Sequence, residues 1–181
     1  MSKIIWHITM SVDGFIAGPD DSMDWAFRAS EPSALADEIR EGTGAILGGR
    51  RWYDAAASKY DGVAGIYGGG WSGPVFVLTH RPEDIPEDPT VTFLSEGLRD
   101  AVGTARDAAA GKNVEIFGAN TAQQCLDAGP LDEIAVHLAP VLLGDGVRLY
   151  GAPAMARQID LERTDASESG QVTDLRFRVR K

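Results

Sequence analysis

The feature that most restricts the fold of this chain is a repeated switch of hydrophobic period, with short β-branched runs separated by stretches of helical spacing. KIIWHITM (3–10) reads as a first strand and the glycine- and aspartate-rich SVDGFIAGPDDSMDW (11–25) as a long loop. Ala34, Leu35, Glu38 and Ile39 predict a helix over about 33–41, stopped by Gly42 and Gly44. AILG (45–48) is a strand, about 50–57 a short helix, and 59–73 a flexible loop. PVFVLT (74–79) is the most strand-like run, and VTFL (91–94) is a further short strand. EGLRDAVGTARDAAAG (96–111) is an amphipathic helix, VEIF (114–117) precedes a helix at about 120–128, and LDEIAVHLAPVLLG (131–144) follows. The rhythm predicts an α/β fold: one three-layer domain with a mainly parallel central sheet flanked by helices. The end of the chain breaks it. Leu175, Phe177 and Val179 alternate with Arg176, Arg178 and Arg180 after the turn SESG, which predicts an antiparallel C-terminal hairpin at a sheet edge.

Size and charge narrow the function classes. The 181 residues, 44% of them hydrophobic, suffice for one substantial core, so residues 1–181 read as a single domain. A single cysteine excludes an intrachain disulfide framework and every multi-cysteine zinc pattern, which fits a reducing cytoplasm. No metal site is indicated, and neither a signal peptide nor an apolar stretch of membrane-spanning length is present. The formal net charge of −10 opposes unspecific attraction to nucleic acid or to an anionic membrane. Local basic residues therefore need a local explanation.

Three predicted strand ends supply one. AILG runs into Gly49, Arg50 and Arg51; PVFVL runs into Thr79, His80 and Arg81; VEIF runs into Gly118, Ala119, Asn120 and Thr121 at a helix start. Carboxyl ends of parallel strands share one edge, where ligands collect near a switch in strand order. Arginine suits bidentate phosphate contacts, and a helix start offers free backbone N–H groups. Together these segments suit a phosphorylated dinucleotide. Each alone is open to a plainer reading, as solvated helix-start arginines, a turn before Pro82, or an ordinary helix cap. GGGWSG (68–73) matches G-x-G-x-x-G only formally, because it sits in a loop and leads into a strand instead of following one.

The sequence resembles the dihydrofolate reductase-like family, specifically the reductase domain that ends the bifunctional riboflavin-biosynthesis deaminase/reductase and its stand-alone relatives. SVDGFIAGPDDSMDW, ILGGRRWYD, VFVLTHR and FGANTAQQCLDAGPLDEIAVHLAPVLLGDGVRLY carry the resemblance, which extends from Lys3 to about Tyr150. It implies NADPH, with Gly49, Arg50, Arg51, Thr79, His80 and Arg81 around the adenosine phosphates and Gly118, Ala119, Asn120 and Thr121 at the pyrophosphate. It implies a homodimer, and it places the Asp-Gly loop and the Pro-x-x-x-Gly-x-Gly segment near nicotinamide and substrate. Two positions depart from the family pattern: Trp52 stands where a threonine is usual, and Phe117-Gly118 where Gly-Gly is usual. Glu31 is the only acidic residue near the start of the first helix, which disfavours dihydrofolate or pterin reduction.

The residues near the substrate keep two readings each. Asp13 is a catalytic or substrate-orienting carboxylate, or a turn residue before Gly14. Trp25 walls the pocket or pins its loop to the core. Pro140, Gly144, Asp145 and Gly146 let backbone approach a ligand, or form a tight turn. His7 and His137 fall within strands as packed or edge residues, and Cys125 is a small buried apolar residue. The resulting expectation is an NADPH-dependent reductase of a small polar heterocycle or a ribosyl-type carbonyl or imine. The rival is a non-catalytic NADPH-binding module.

Overall fold

A computed structural model describes residues 2–151 and 157–181. Ten strands and five helices run in the order β1 (Ile4–Ser11), β2 (Phe15–Ala17), α1 (Asp24–Ala29), α2 (Ala34–Gly42), β3 (Thr43–Gly49), α3 (Arg50–Lys59), β4 (Val75–Leu78), β5 (Thr92–Leu94), α4 (Leu98–Ala108), β6 (Asn113–Phe117), α5 (Ala119–Ala128), β7 (Glu133–Ala139), β8 (Val147–Arg148), β9 (Leu161–Ser169) and β10 (Val172–Val179). Eight strands form one sheet in the order β5-β4-β3-β6-β1-β7-β10-β9, and β2 pairs with β8 alone. The six strands from β5 to β7 are mutually parallel, whereas β10 is antiparallel to both β7 and β9. The mainly parallel sheet and its C-terminal hairpin are therefore as the pattern predicts.

Period-2 alternation decides what each face of the sheet carries. Ile4, Trp6, Leu47, Val114, Ile116, Ile134 and Val136 pack with Ala101, Val102 and Ala105 of α4 and Ala122 and Cys125 of α5 into the main apolar core. Burial pushes the Cys125 thiol up to about 12, so it behaves as a small apolar residue. The opposite face is covered only in part. There Leu35 and Ile39 of α2 pack on Ala135, and Ile66 packs on Ile46 and Val75.

Two predicted loops hold more structure than their glycine content suggests. The segment 11–25 contains β2, stitched to β8, and the start of α1. The segment 59–73 contains a 3-10 helix, Gly62–Gly69, anchored by buried Ile66 and kinked where Tyr67 adopts φ 52°. Tertiary burial of single apolar side chains overrides the weak local signal in both. The run at 131–144 is a strand only as far as Ala139, because Pro140 has no N–H to continue a ladder.

Candidate active site

A cleft of about 1080 Å³ opens between the carboxyl edge of the parallel strands and the partly covered sheet face. One half of it is built from the strand ends. β3 passes directly into α3 and β6 into α5, and neither Gly49 nor Gly118 gives its helix a side-chain cap, so both first turns offer backbone N–H groups. Glycine is required at both positions for packing. A Cβ on Gly49 would lie 2.5 Å from Thr121 Oγ1, and Gly118 has φ +92° with the Trp52 Cβ 3.2 Å from where its own would be. Trp52 meets the Phe117 ring edge-on at 4.9 Å, so the two residues that depart from the family pattern pack on each other.

The predicted phosphate residues Gly49, Arg50, Arg51, Thr79, His80, Arg81, Gly118, Ala119, Asn120 and Thr121 all line this cleft. They are not equivalent. Arg50 is 14% exposed in its side chain and already spent, with Nε on Asp54 at 2.7 Å and a second nitrogen on the Asp84 carbonyl at 2.5 Å. Arg51 is 72% exposed and pairs with Asp21 at 2.8 Å, while Arg81 is 56% exposed with carboxylates no nearer than 3.6 Å. Thr79 is buried, and its hydroxyl accepts from the Arg81 N–H at 3.1 Å, shaping the turn. The cations most available to an incoming anion are therefore Arg81 and Arg51.

The predicted substrate residues lie elsewhere. Asp13, Gly14, Trp25, Pro140, Gly144, Asp145 and Gly146 are not on the wall of the cleft. The Asp13 carboxylate braces two loops, accepting from Ser11 Oγ at 2.6 Å, Gly144 N at 2.7 Å and Leu143 N at 3.1 Å. The Ser11 bond foremost, and the two backbone N–H groups against a small opposing burial, hold its pKa down at about 2. Its bonds in this structure are thus to the turn around it. Trp25 is buried with Ala26 and Ala139 and pins its loop to the core. Pro140, Gly144, Asp145 and Gly146 form the turn that Asp13 holds, for a side chain of short reach is the natural partner of adjacent loop N–H groups.

The other half of the cleft lies on the sheet face, and sequence reasoning missed its principal feature. Glu115 of β6, His7 of β1, His137 of β7 and Asp174 of β10 form one polar row across four adjacent strands, and all four line the cleft. The His7 and His137 Nε2 atoms are 2.5 Å apart. His137 Nδ1 is 2.5 Å from Asp174 Oδ1, and Asp174 Oδ2 accepts from Ser33 Oγ at 2.5 Å and Ser169 Oγ at 2.7 Å. His7 Nδ1 lies 2.7 Å from the Tyr67 hydroxyl and 3.2 Å from Glu115 Oε1, while Tyr67 donates to Glu115 at 2.9 Å. Burial opposes ionisation of Asp174, but the bonds from Ser33, Ser169 and His137 outweigh it and its pKa falls. Burial and then the neighbouring His7 depress His137 despite Asp174, whereas burial and then the Glu115 charge raise Tyr67. Phe27 of α1 meets Tyr60 edge-on at 5.2 Å, and both line the cleft. The segment covering this side runs from Ile16 and Ala17 of β2 through Asp21 and Met23 to Ser30.

The RibD C-terminal domain family matches residues 2–173 of this sequence. The chain belongs to that family. It is 27% identical over 186 residues to the protein YwjB of Bacillus subtilis (strain 168), covering 97% of each chain. Its fold is that of a Shewanella sp. PV-4 protein whose name assigns it to riboflavin biosynthesis, with a TM-score of 0.81, 23% identity and 99% of each chain covered. It is also similar to a pyrimidine reductase-like protein of Corynebacterium diphtheriae, with a TM-score of 0.66, 14% identity, and 99% and 92% of the two chains covered. The Thermotoga maritima diaminohydroxyphosphoribosylaminopyrimidine deaminase/5-amino-6-(5-phosphoribosylamino)uracil reductase matches with a TM-score of 0.66 at 15% identity, and the shared fold spans 57% of that longer chain. The dihydrofolate reductase-like architecture inferred from the motifs is thus the observed one.

Proposed function

We propose that the chain is an NADPH-dependent reductase of riboflavin-pathway type, acting on a small polar heterocycle or a ribosyl-type carbonyl or imine. The observation that carries this reading is the division of one cleft into two unlike halves. Two uncapped helix starts and two exposed arginines make the strand-end half suited to a polyanion. A buried polar wall with an aromatic rim makes the sheet-face half suited to a small polar ring.

The strand-end half fits a phosphorylated dinucleotide. The N–H groups at the starts of α3 and α5 would hold its phosphates, and Arg81 and Arg51 would neutralise the remaining charge through charge-assisted bonds. When bound, the reduced nicotinamide supplies a hydride. The chain's own contribution is placement: the Gly49 and Gly118 turns set the depth of the site, and the Phe27–Tyr60 rim holds water away from the sheet face.

Calorimetric titration with NADPH and NADH tests the cofactor half. NADPH binds more tightly, and Arg81→Ala weakens it by about tenfold, the scale of one charge-assisted hydrogen bond. Equal affinity for the two cofactors overturns the assignment. Absorbance-monitored oxidation against aminopyrimidine ribosyl compounds, pterins and small carbonyls tests the rest, and NADPH binding without turnover of any acceptor leaves a binding module instead.

A further inference from the structure

The polar row on the sheet face is too costly to be packing alone. Its members lie in strands whose buried positions are mostly apolar, and His7 and His137 are only 8% and 12% exposed in their side chains. Replacing such a row with aliphatic residues would save the desolvation of four ionisable groups, since buried ion pairs seldom repay that cost. Perturbed titratable groups in a cleft are where functional chemistry concentrates. Tyr67, which completes the row, is held in the left-handed region at φ 52°, ψ 35°, a strained conformation for a bulky side chain, and this brings its hydroxyl to both His7 and Glu115.

The hydrogen-bond pattern fixes how many protons the pair holds. Two Nε2 atoms at 2.5 Å require one proton between them, because two lone pairs repel and two N–H groups clash. Asp174, held as a carboxylate by two serine hydroxyls, takes the Nδ1–H of His137, so the His137 Nε2 is the acceptor and the His7 Nε2 the donor. The Tyr67 hydroxyl donates to Glu115, so its oxygen is left to accept from His7 Nδ1. The groups that face this row from the elements packed around it are Glu115, Tyr67, Asp174, Arg40 of α2, which acts electrostatically on Tyr67, and Glu31, which lines the same cleft.

We propose that the His7–His137 pair is the proton donor of the sheet-face half, that its partners Glu115 and Asp174 are positioning residues, and that the substrate reduced there is an imine or carbonyl whose nitrogen or oxygen faces the pair. This rests on the reductase reading above. In the step, the acceptor carbon gains a hydride from NADPH, its π electrons pass to the heteroatom, and the heteroatom takes the Nε2 proton of His7, which gives up its hydrogen bond to His137 as the N–H bond breaks. A proton from water then restores the pair, so one NADPH and one proton are consumed per C=N or C=O reduced.

Two measurements on the full chain test it. Long-range proton–nitrogen spectra of the cofactor-free protein across about pH 5 to 8, where histidine titrates, should show one proton shared by the two Nε2 atoms and never a doubly cationic pair. Two imidazoles titrating independently overturn the proposal. With NADPH and an acceptor that the wild type reduces, His137→Gln should lower kcat by about 100-fold, the scale of a lost general acid, with NADPH affinity unchanged. Asp174→Asn should move the alkaline limb of the rate profile to lower pH, since a cationic pair without its carboxylate gives up its proton more readily. The unchanged NADPH affinity reports that each variant is folded. His137→Gln with wild-type kcat and pH profile removes the donor role alone, whereas a wild type that turns over no acceptor removes the reductase reading and the donor role with it.

Discussion

The two faces of the central sheet are written in the same four strands and obey opposite rules. Val114 and Val136 lie in the apolar core and off the cleft wall, and their immediate neighbours Glu115 and His137 line the cleft. The core face gains from being interchangeable, because any aliphatic side chain of the right volume serves there. The cleft face gains from being specific, because the acceptors and donors in its row are engaged by particular neighbours. The contrast teaches that in this fold stability and chemistry are separated by a single residue step along a strand.

The largest effect should come from the core face. Ile134→Ala, in the core and off the cleft wall, is expected to cost about 2–5 kcal/mol in urea unfolding, the range for deleting buried methyl groups and leaving a cavity. A loss of that size without any change in NADPH affinity sharpens the separation of the faces, and an equal loss of affinity breaks it.

An intermediate effect belongs to the row, and its sign follows from the pKa shifts. The folded pKa of His137 lies below the ordinary 6.5, so on acidification the unfolded chain takes its proton first and stability declines as pH falls below about 6.5. Asp174, depressed below 3.8, contributes stability that is present above that pH and is lost as pH falls through its lower folded value. His137→Gln should abolish the first decline and keep the second. A wild-type stability curve flat through the histidine range would contradict this account of the row.

The smallest stability effect is at the strand ends. Arg51→Ala removes an exposed pair with Asp21 and should change unfolding free energy by no more than about 0.2–1 kcal/mol. A weakened NADPH titration in that variant then reports binding and not folding.

Much of this architecture was legible because it is local. Hydrophobic period, Gly42 and Gly44 as a helix stop, and the Arg-alternating last strand each lie within one segment, and the strand-end set Gly49 to Arg51, Thr79 to Arg81 and Gly118 to Thr121 needed only the rule that parallel strands share an edge. The sheet-face row was not legible in that way. His7, Glu115, His137 and Asp174 are far apart in sequence and become neighbours only through the order β6-β1-β7-β10. A signal existed nonetheless, in that each is a lone ionisable residue inside an otherwise strand-like run: IWHI, VEIF, AVHL and VTDL. Asp13 was ambiguous for the converse reason, since an aspartate before glycine after a strand looks the same whether it meets a ligand or the N–H groups of another loop.

The C-terminal hairpin has a consequence that its generic sequence conceals. The carboxylate that holds the His137 ring belongs to β10, whereas the strand-end half of the cleft is built before it in the chain. A chain that kept everything up to that point and altered only its final strand would keep the helix openings, the exposed arginines and both imidazoles, yet would change what restrains the second ring. The last strand thus sets the surroundings of the His137 ring from outside the strand ends and helix starts that form the other half of the cleft.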